Sequence, residues 1–227
     1  MKVSFLIPAY NEGGTIALVI ERLQALPFDK QLIVVDDGSV DETPTVLKGL
    51  AAEYDNLVVL RQPNRGKGAA LRAGIPHIEG DIVVIQDADL EYDPADVPGL
   101  IEPIVDGVAD VVYGSRLSGG RPQRAYLFWH RAGNRLLSVV AGVLYNTTLS
   151  DMETGYKAFR ADVLRTLDLR ENRFGIEPEI TGRICRQRLR IYEVPVSYYG
   201  RTYAEGKQIT WRDGFRAIWV LIRVRIS

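Results

Sequence analysis

The chain has 227 residues, 46% of them hydrophobic and 25% charged, enough apolar material for a buried core and too much for a disordered segment. Its one cysteine, Cys185, excludes an internal disulfide, and no Cys/His cluster has zinc spacing; the cysteine reads as a helix residue near the core, and His77 and His130 as surface or packing residues. A net charge of −1 conceals a division: residues 1–111 hold 8 Lys+Arg against 19 Asp+Glu, a net −11, whereas residues 112–227 hold 20 against 10, a net +10, with 18 of those 20 cations arginine.

The N-terminal stretch lacks the long apolar run and small-residue cleavage site of a signal peptide and reads as a first strand, 3–7. Apolar runs of strand length then alternate with segments of helical period: helix 15–26, strand 31–35, helix 42–52, strand 57–60, helix 69–78, strand 81–85, helix 94–105 and strand 110–113. That alternation predicts an α/β fold of βαβ units, a mostly parallel sheet with helices on both faces. In such sheets ligands sit beyond the carboxyl ends of the strands. The polar clusters fall there: Tyr10-Asn11-Glu12, Asp36-Asp37-Gly38-Ser39, residues 62–68, Asp87-Ala88-Asp89 and Gly114-Ser115-Arg116.

After Arg116 the pattern changes. Residues 118–122, rich in Gly and Pro, predict a loop, and 126–145 a helix whose apolar runs are flanked by Arg124, Arg131 and Arg135. Neither run reaches the roughly 20 apolar residues that span a bilayer. Residues 211–226 present the same composition, with Trp211, Trp219, Arg212, Arg216, Arg223 and Arg225. Each helix fits two readings, interfacial amphipathic or core-packing. No internal repeat or interdomain linker is visible.

The strand 82–85 runs straight into Asp87 and Asp89, with Glu91 beyond. Two carboxylates one residue apart at a strand end suit a hard cation that also takes substrate phosphate oxygens, although a solvated turn fits the same residues. Tyr10 can stack on a base, and Asp37 can accept hydrogen bonds from a base or a ribose hydroxyl. Ser39 and Asp41 fit equally well as caps of the next helix. The Gly66-Lys67-Gly68 turn could let backbone approach a nucleotide, or be a plain turn before a helix. The absence of Gly-x-Gly-x-x-Gly and of a Walker A pattern argues against a dinucleotide dehydrogenase and a P-loop NTPase.

Taken in order, Pro8-Ala9-Tyr10-Asn11-Glu12, Val34-Val35-Asp36-Asp37-Gly38-Ser39, Asn64-Arg65-Gly66-Lys67-Gly68-Ala69, Asp87-Ala88-Asp89-Leu90-Glu91 and Gly114-Ser115-Arg116 resemble the family 2 inverting glycosyltransferases of GT-A fold, most of all the dolichyl-phosphate mannose synthases and related polyprenyl-phosphate glycosyltransferases. The likeness covers residues 1–210. It implies one GT-A domain, with a nucleotide-sugar half at 1–116 and an acceptor half at 117–210, followed by an amphipathic helix at 211–227. It implies that Pro8, Tyr10, Glu12, Val35 and Asp37 hold the nucleoside. Lys67, Asp87 and Ala88 would complete the donor site, and Asp87, Asp89 and Glu91 would hold Mg²⁺ or Mn²⁺. Glu91 stands where these synthases often carry Gln.

The same likeness implies that Arg116, Arg131, Arg201 and Lys207 hold the acceptor phosphate, and that the segment from Asp151 to Lys157 lines the sugar pocket. Asp89, Arg116 and Asp151 are the expected catalytic residues. The implied partners are a nucleotide-diphospho-sugar of GDP-mannose or UDP-glucose type, a polyprenyl or dolichyl phosphate, and a membrane surface met peripherally on the cytoplasmic face or through a membrane-protein partner; no nucleic acid is expected. A lipid phosphate carries about −1.5 to −2 charges near neutral pH and can attack the anomeric carbon without a base. A hydroxyl acceptor would need one, with Asp151 the first candidate and Glu177 or Glu179 behind it. A non-catalytic nucleotide-sugar-binding scaffold is the reading from another class.

Overall fold

The structure, a computed structural model, describes residues 1–121, 128–200 and 211–227. Its seven strands, β1 (Val3–Ala9), β2 (Lys30–Asp36), β3 (Leu57–Arg61), β4 (Ile82–Ile85), β5 (Val111–Ser115), β6 (Lys157–Arg160) and β7 (Ile191–Pro195), lie in the order β3-β2-β1-β4-β6-β5-β7. All run parallel except β6, which is antiparallel to both β4 and β5. β1 and β2 are buried on both faces, which is why they read as unbroken apolar runs.

Alternation along the strands sorts their side chains to two cores. Val3, Phe5 and Ile7 face a layer made by α1 (Ile16–Gln24), α2 (Thr43–Glu53) and α4 (Val97–Val105). Leu6, Ile33, Val35, Val83 and Ile85 face the layer of α3 (Lys67–Gly74), α6 (Ala161–Thr166) and α7 (Ile176–Arg186). Helices on both faces are thus as expected. Cys185 is partly buried on α7, where burial pushes its thiol up to about 11.

Two departures have physical causes. The helix expected over 69–78 ends at Gly74, and a 3-10 turn carrying Pro76 takes over, because proline cannot continue an α-helical ladder. Strand β6, Lys-Ala-Phe-Arg, is too short and too charged at its ends to show a period. Its antiparallel run breaks the βαβ pattern and carries its first residue, Lys157, to a position opposite both Ile85 and Tyr113. The segment before β6 therefore arrives at the edge where β4 and β5 end.

The remaining helices, α5 (Phe128–Tyr145) and α8 (Trp211–Ile226), pack on each other and on α7. Leu137 and Ala141 of α5 meet Met152 and Ala217 and Leu221 of α8 in a third apolar cluster. Each helix also shows a second apolar stripe, turned outward: Phe128, Trp129, Leu136, Val139 and Val143 on α5, and Phe215, Trp219, Ile222 and Ile226 on α8, all exposed. The core-packing reading therefore holds for the inner face of each helix, and the outer face is the one that an interfacial reading would use. Among the described residues no helix is long and apolar enough to cross a membrane.

Candidate active site

Beyond β1 and β2 the carboxylates fix loops. Asp37 is buried, and its Oδ1 accepts from Gln62 Nε2 (2.6 Å) and Arg65 N (2.9 Å) while Oδ2 accepts from Gly66 N (2.6 Å). This draws the 62–68 loop over the end of β2. Gly66 sits at φ +98°, and a Cβ there would lie 2.6 Å from the Asn172 carbonyl oxygen, so the turn needs glycine. Ser39 Oγ accepts from Asn11 N (2.9 Å) and so ties two loops instead of capping α2, whereas Asp41 takes the N–H groups of Thr43, the first residue of α2, and of Gly13 (3.0 Å each), a local role at the helix start. Tyr10 remains 44% exposed at the end of β1, with its ring available for stacking.

At the end of β4 the charges interlock. Lys67, the first residue of α3, places Nζ 2.7 Å from Asp87 Oδ1 and 3.1 Å from Glu177 Oε1. Burial alone would lower its pKa, but the charges of Asp87 and Glu177 outweigh that and raise it. Glu177, in the first turn of α7, also accepts from the fully buried Lys157. Burial would raise the Glu177 pKa, and the two lysines bring it below its ordinary value. Lys157 moves the other way, its ammonium disfavoured by burial and only partly restored by Glu177. Gly155 closes the space: a Cβ there would stand 2.5 Å from Asp87 Oδ2 and 3.0 Å from Lys67 Nζ.

Beyond β5, Arg116 grips Asp151. Nε and the backbone N–H both donate to Asp151 Oδ2 (2.7 and 2.8 Å), and Nη2 donates to Oδ1 (2.7 Å), which Asn134 Nδ2 of α5 also reaches (2.6 Å). Asp151 is wholly buried. Burial would raise its pKa, but Arg116 overrides that and holds the carboxyl below its usual range. Arg116 also lies over the Tyr198 ring, 5.0 Å from its centroid, next to the stacked rings of Tyr92 and Tyr156.

Several expected residues are placed differently. Val35 is fully buried in the second core, so only its backbone can face a ligand. Ala88 is also buried and presents its carbonyl to Thr15 Oγ1 (3.0 Å), a hydroxyl that donates as well to Glu12 Oε2 (2.9 Å). Pro8 pairs in register with Val35 inside the sheet. Asp89 is nearly buried, with Oδ1 accepting from Glu91 N (3.1 Å). Glu91 Oε2 accepts from Tyr198 Oη (2.7 Å), and its carbonyl accepts from Tyr199 N (2.8 Å). Asp87, Asp89 and Glu91 thus make no ready three-carboxylate cage, and among the described residues no such group of three exists. Arg131 is exposed on α5 one turn before Asn134, while Arg201 and Lys207 lie outside the described residues.

Other polar groups at this edge were given no individual role by the sequence, Glu153 and Lys157 entering only within the 151–157 segment. Asn134, Glu153 and Lys157 are the chief ones; Lys157 had a signal, being one of two lysines among the 20 cations of the basic half. Lysine, unlike arginine, tolerates burial by shifting its pKa.

The sheet and its helices form an α/β fold of GT-A type, the fold of nucleotide-sugar-dependent glycosyltransferases. The chain belongs to glycosyl transferase family 2, whose model matches residues 4–168, and it is a glycosyltransferase. It is 32% identical to the undecaprenyl-phosphate mannosyltransferase of Micrococcus luteus, with all of both chains covered. It is 27% identical to the UDP-N-acetylglucosamine–dolichyl-phosphate N-acetylglucosaminyltransferase of Methanococcus voltae, over 99% of this chain and 96% of that one. A glucosyl-3-phosphoglycerate synthase from Mycobacterium tuberculosis, solved with Mn²⁺, UDP and phosphoglyceric acid, shares the fold with a TM-score of 0.74 and 23% identity, over 99% of this chain and 78% of that one.

Proposed function

We propose that the chain transfers a hexose, with inversion, from a nucleotide-diphospho-sugar of GDP-mannose or UDP-glucose type to a polyprenyl or dolichyl phosphate at a membrane surface. The names of the two full-length relatives support the acceptor. Residues 1–116 form the donor half, 117–210 the acceptor half, and 211–227 the closing helix. Tyr10 stacks on the base, backbone beside Pro8 and Val35 borders it, and Glu12 and Asp37 shape the loops that enclose the nucleoside.

Asp87 and Asp89 fit a divalent ion, Mg²⁺ or Mn²⁺. They offer hard oxygen donors in the number such an ion uses besides phosphate oxygens. When bound, the ion offsets the charge that develops on the departing nucleoside diphosphate. Glu91, tied to Tyr198, positions this loop.

On the other side Arg116 and Arg131, with Arg201 and Lys207, take the acceptor phosphate. Asp151 is a poor base, because both of its oxygens are occupied and Arg116 favours its charged form. An acceptor that brings its own negative charge needs none. Catalysis then comes from positioning donor and acceptor in line and from stabilising charge.

One observation carries the lipid acceptor: α5 bears Asn134, bonded to Asp151 beside Arg116, and about half a turn away an exposed stripe of Phe128, Trp129, Leu136, Val139 and Val143. Such a helix joins an apolar surface to the transfer site, consistent with peripheral attachment on the cytoplasmic face, directly or with a membrane protein's help. The test is calorimetry with UDP- and GDP-sugars, with and without Mn²⁺, followed by turnover with a short polyprenyl phosphate. Glycosyl transfer to the lipid is expected. Tight donor binding without transfer to any acceptor would instead mark a scaffold.

A further inference from the structure

Glu153 lies at the heart of this edge, and the residues around it make no use of it. Its Oε1 is enclosed and has no hydrogen-bond partner among the described residues. An enclosed carboxyl oxygen without a partner is costly, so a group that survives in this state points to a ligand. The cations that could have served it are engaged: Arg116 with Asp151, Lys157 with Glu177, and Lys67 between Asp87 and Glu177.

The backbone around Glu153 is held on both sides. Thr154 Oγ1 donates to the Gly114 carbonyl (2.7 Å), Gly155 N donates to Tyr92 Oη (3.0 Å), and Gly155 presses against Asp87. The charged neighbours of Glu153 are Glu177 and Lys157 toward the Lys67–Asp87 pair, and Arg116 and Asp151 on the other flank. In an in-line displacement the transferred group lies between leaving group and nucleophile. With the donor diphosphate at Asp87 and the acceptor phosphate at Arg116, Glu153, whose charged neighbours come from both flanks, is the unpartnered polar group that the sugar would meet.

We infer that Glu153 is a specificity-determining residue whose carboxyl group hydrogen-bonds a hydroxyl of the donor hexose. The inference rests on the donor and acceptor reading above. Burial, aided by the charge of Glu177 and opposed by that of Lys157, pushes this carboxyl up to about 7, so near neutrality it both donates and accepts, as a sugar hydroxyl does. A phosphate would be repelled by its ionised form.

The test compares a donor with the same nucleotide lacking the sugar. Calorimetry of the full chain with Mn²⁺ and UDP-glucose, GDP-mannose or UDP-N-acetylglucosamine selects the donor, and UDP or GDP serves as the sugarless reference. Glu153→Ala should weaken the selected nucleotide-sugar about ten- to a hundred-fold, while UDP or GDP changes by less than about two-fold. Glu153→Gln, which keeps an acceptor and a donor, should recover most of the loss. Among monodeoxy donors, one should lose affinity for the wild type and none further for Glu153→Ala.

Equal weakening of nucleotide-sugar and nucleoside diphosphate would mark a structural role and overturn the assignment. So would unchanged affinity for both, or a collapse of kcat in Glu153→Gln at unchanged donor affinity, which would mark a base. A wild type that binds no nucleotide-sugar overturns the donor reading itself, whereas a wild type that binds beside an indifferent Glu153→Ala overturns the Glu153 assignment alone.

Discussion

Beyond β1 and β2, the carboxylates of Asp37 and Asp41 accept backbone N–H groups of the surrounding loops, whereas beyond β5 and in the layers of α7 and α8 those of Asp151, Glu171, Glu177 and Glu179 hold arginine or lysine. The first arrangement fixes the shape of the loops that the proposed function assigns to base and ribose. The second leaves buried opposite charges poised around the place where phosphates would bind. Part of the arginine excess is thereby committed to ion pairs: Arg116, Arg183 and Arg223 face carboxylates from partly buried positions, and Arg190 and Arg216 from half-exposed ones. A composition that suggests a basic surface is here in part a framework of ion pairs.

Asp89→Ala should lower hexosyl transfer to polyprenyl phosphate by about a hundred- to a thousand-fold, measured by single-turnover transfer of labelled sugar, because charge stabilisation of the leaving group goes with it. A loss under ten-fold would remove Asp89 from the site. Next, Arg116→Ala strands the buried Asp151 and should cost about 3–5 kcal/mol in urea denaturation. Asp37→Asn, which weakens hydrogen bonds to a loop, should cost about 1–3 kcal/mol. Equal costs would erase the distinction between the two regions.

The outward stripes give a smaller effect. Replacing Trp129 and Trp219, 81% and 54% exposed, by serine should reduce flotation with anionic liposomes about ten-fold and leave donor binding unchanged. Added salt should weaken wild-type flotation if the arginines flanking the stripes contribute. The smallest effect is on acid stability. Hydrogen bonds from Arg190, against a smaller effect of burial, lower the Asp110 carboxyl to about 2. A depressed folded value stabilises the protein above the unfolded value of about 3.9 and is lost as the pH falls through the folded one. Asp110→Asn should therefore flatten the decline in stability between about pH 4 and pH 2, as followed by denaturant midpoints.

What the sequence disclosed follows from how far each interaction reaches along the chain. The strands β1, β2 and β4 are buried on both faces, so their apolar runs were legible, and with them the strand-end clusters that carry Tyr10, Asp37, Asp87 and Arg116. The outward stripes of α5 and α8 were legible too, as mixed apolar and arginine segments. Hidden were the partnerships between distant positions. Glu91 bonds a tyrosine 107 residues away, Asp151 meets an arginine 35 residues before it, and the buried Lys157 is balanced by a glutamate 20 residues later. Val35 shows the converse: its place in an ordered motif suggested contact with a ligand, whereas alternation along β2 sends its side chain to the core. Glu153 was visible only as part of a motif, since its missing partner is a property of the fold.

In the proposed transfer the acceptor supplies its own charge to a site whose best-placed aspartate is held as an anion. A matched pair of acceptors tests it most directly: the same short polyprenyl chain ending in a phosphate or in a free hydroxyl, each incubated with the chain, Mn²⁺ and the donor selected by calorimetry. Transfer to the phosphate with inverted anomeric configuration is expected, and none above background to the alcohol. Transfer to the alcohol at a comparable or higher rate, or retention of configuration, would contradict it.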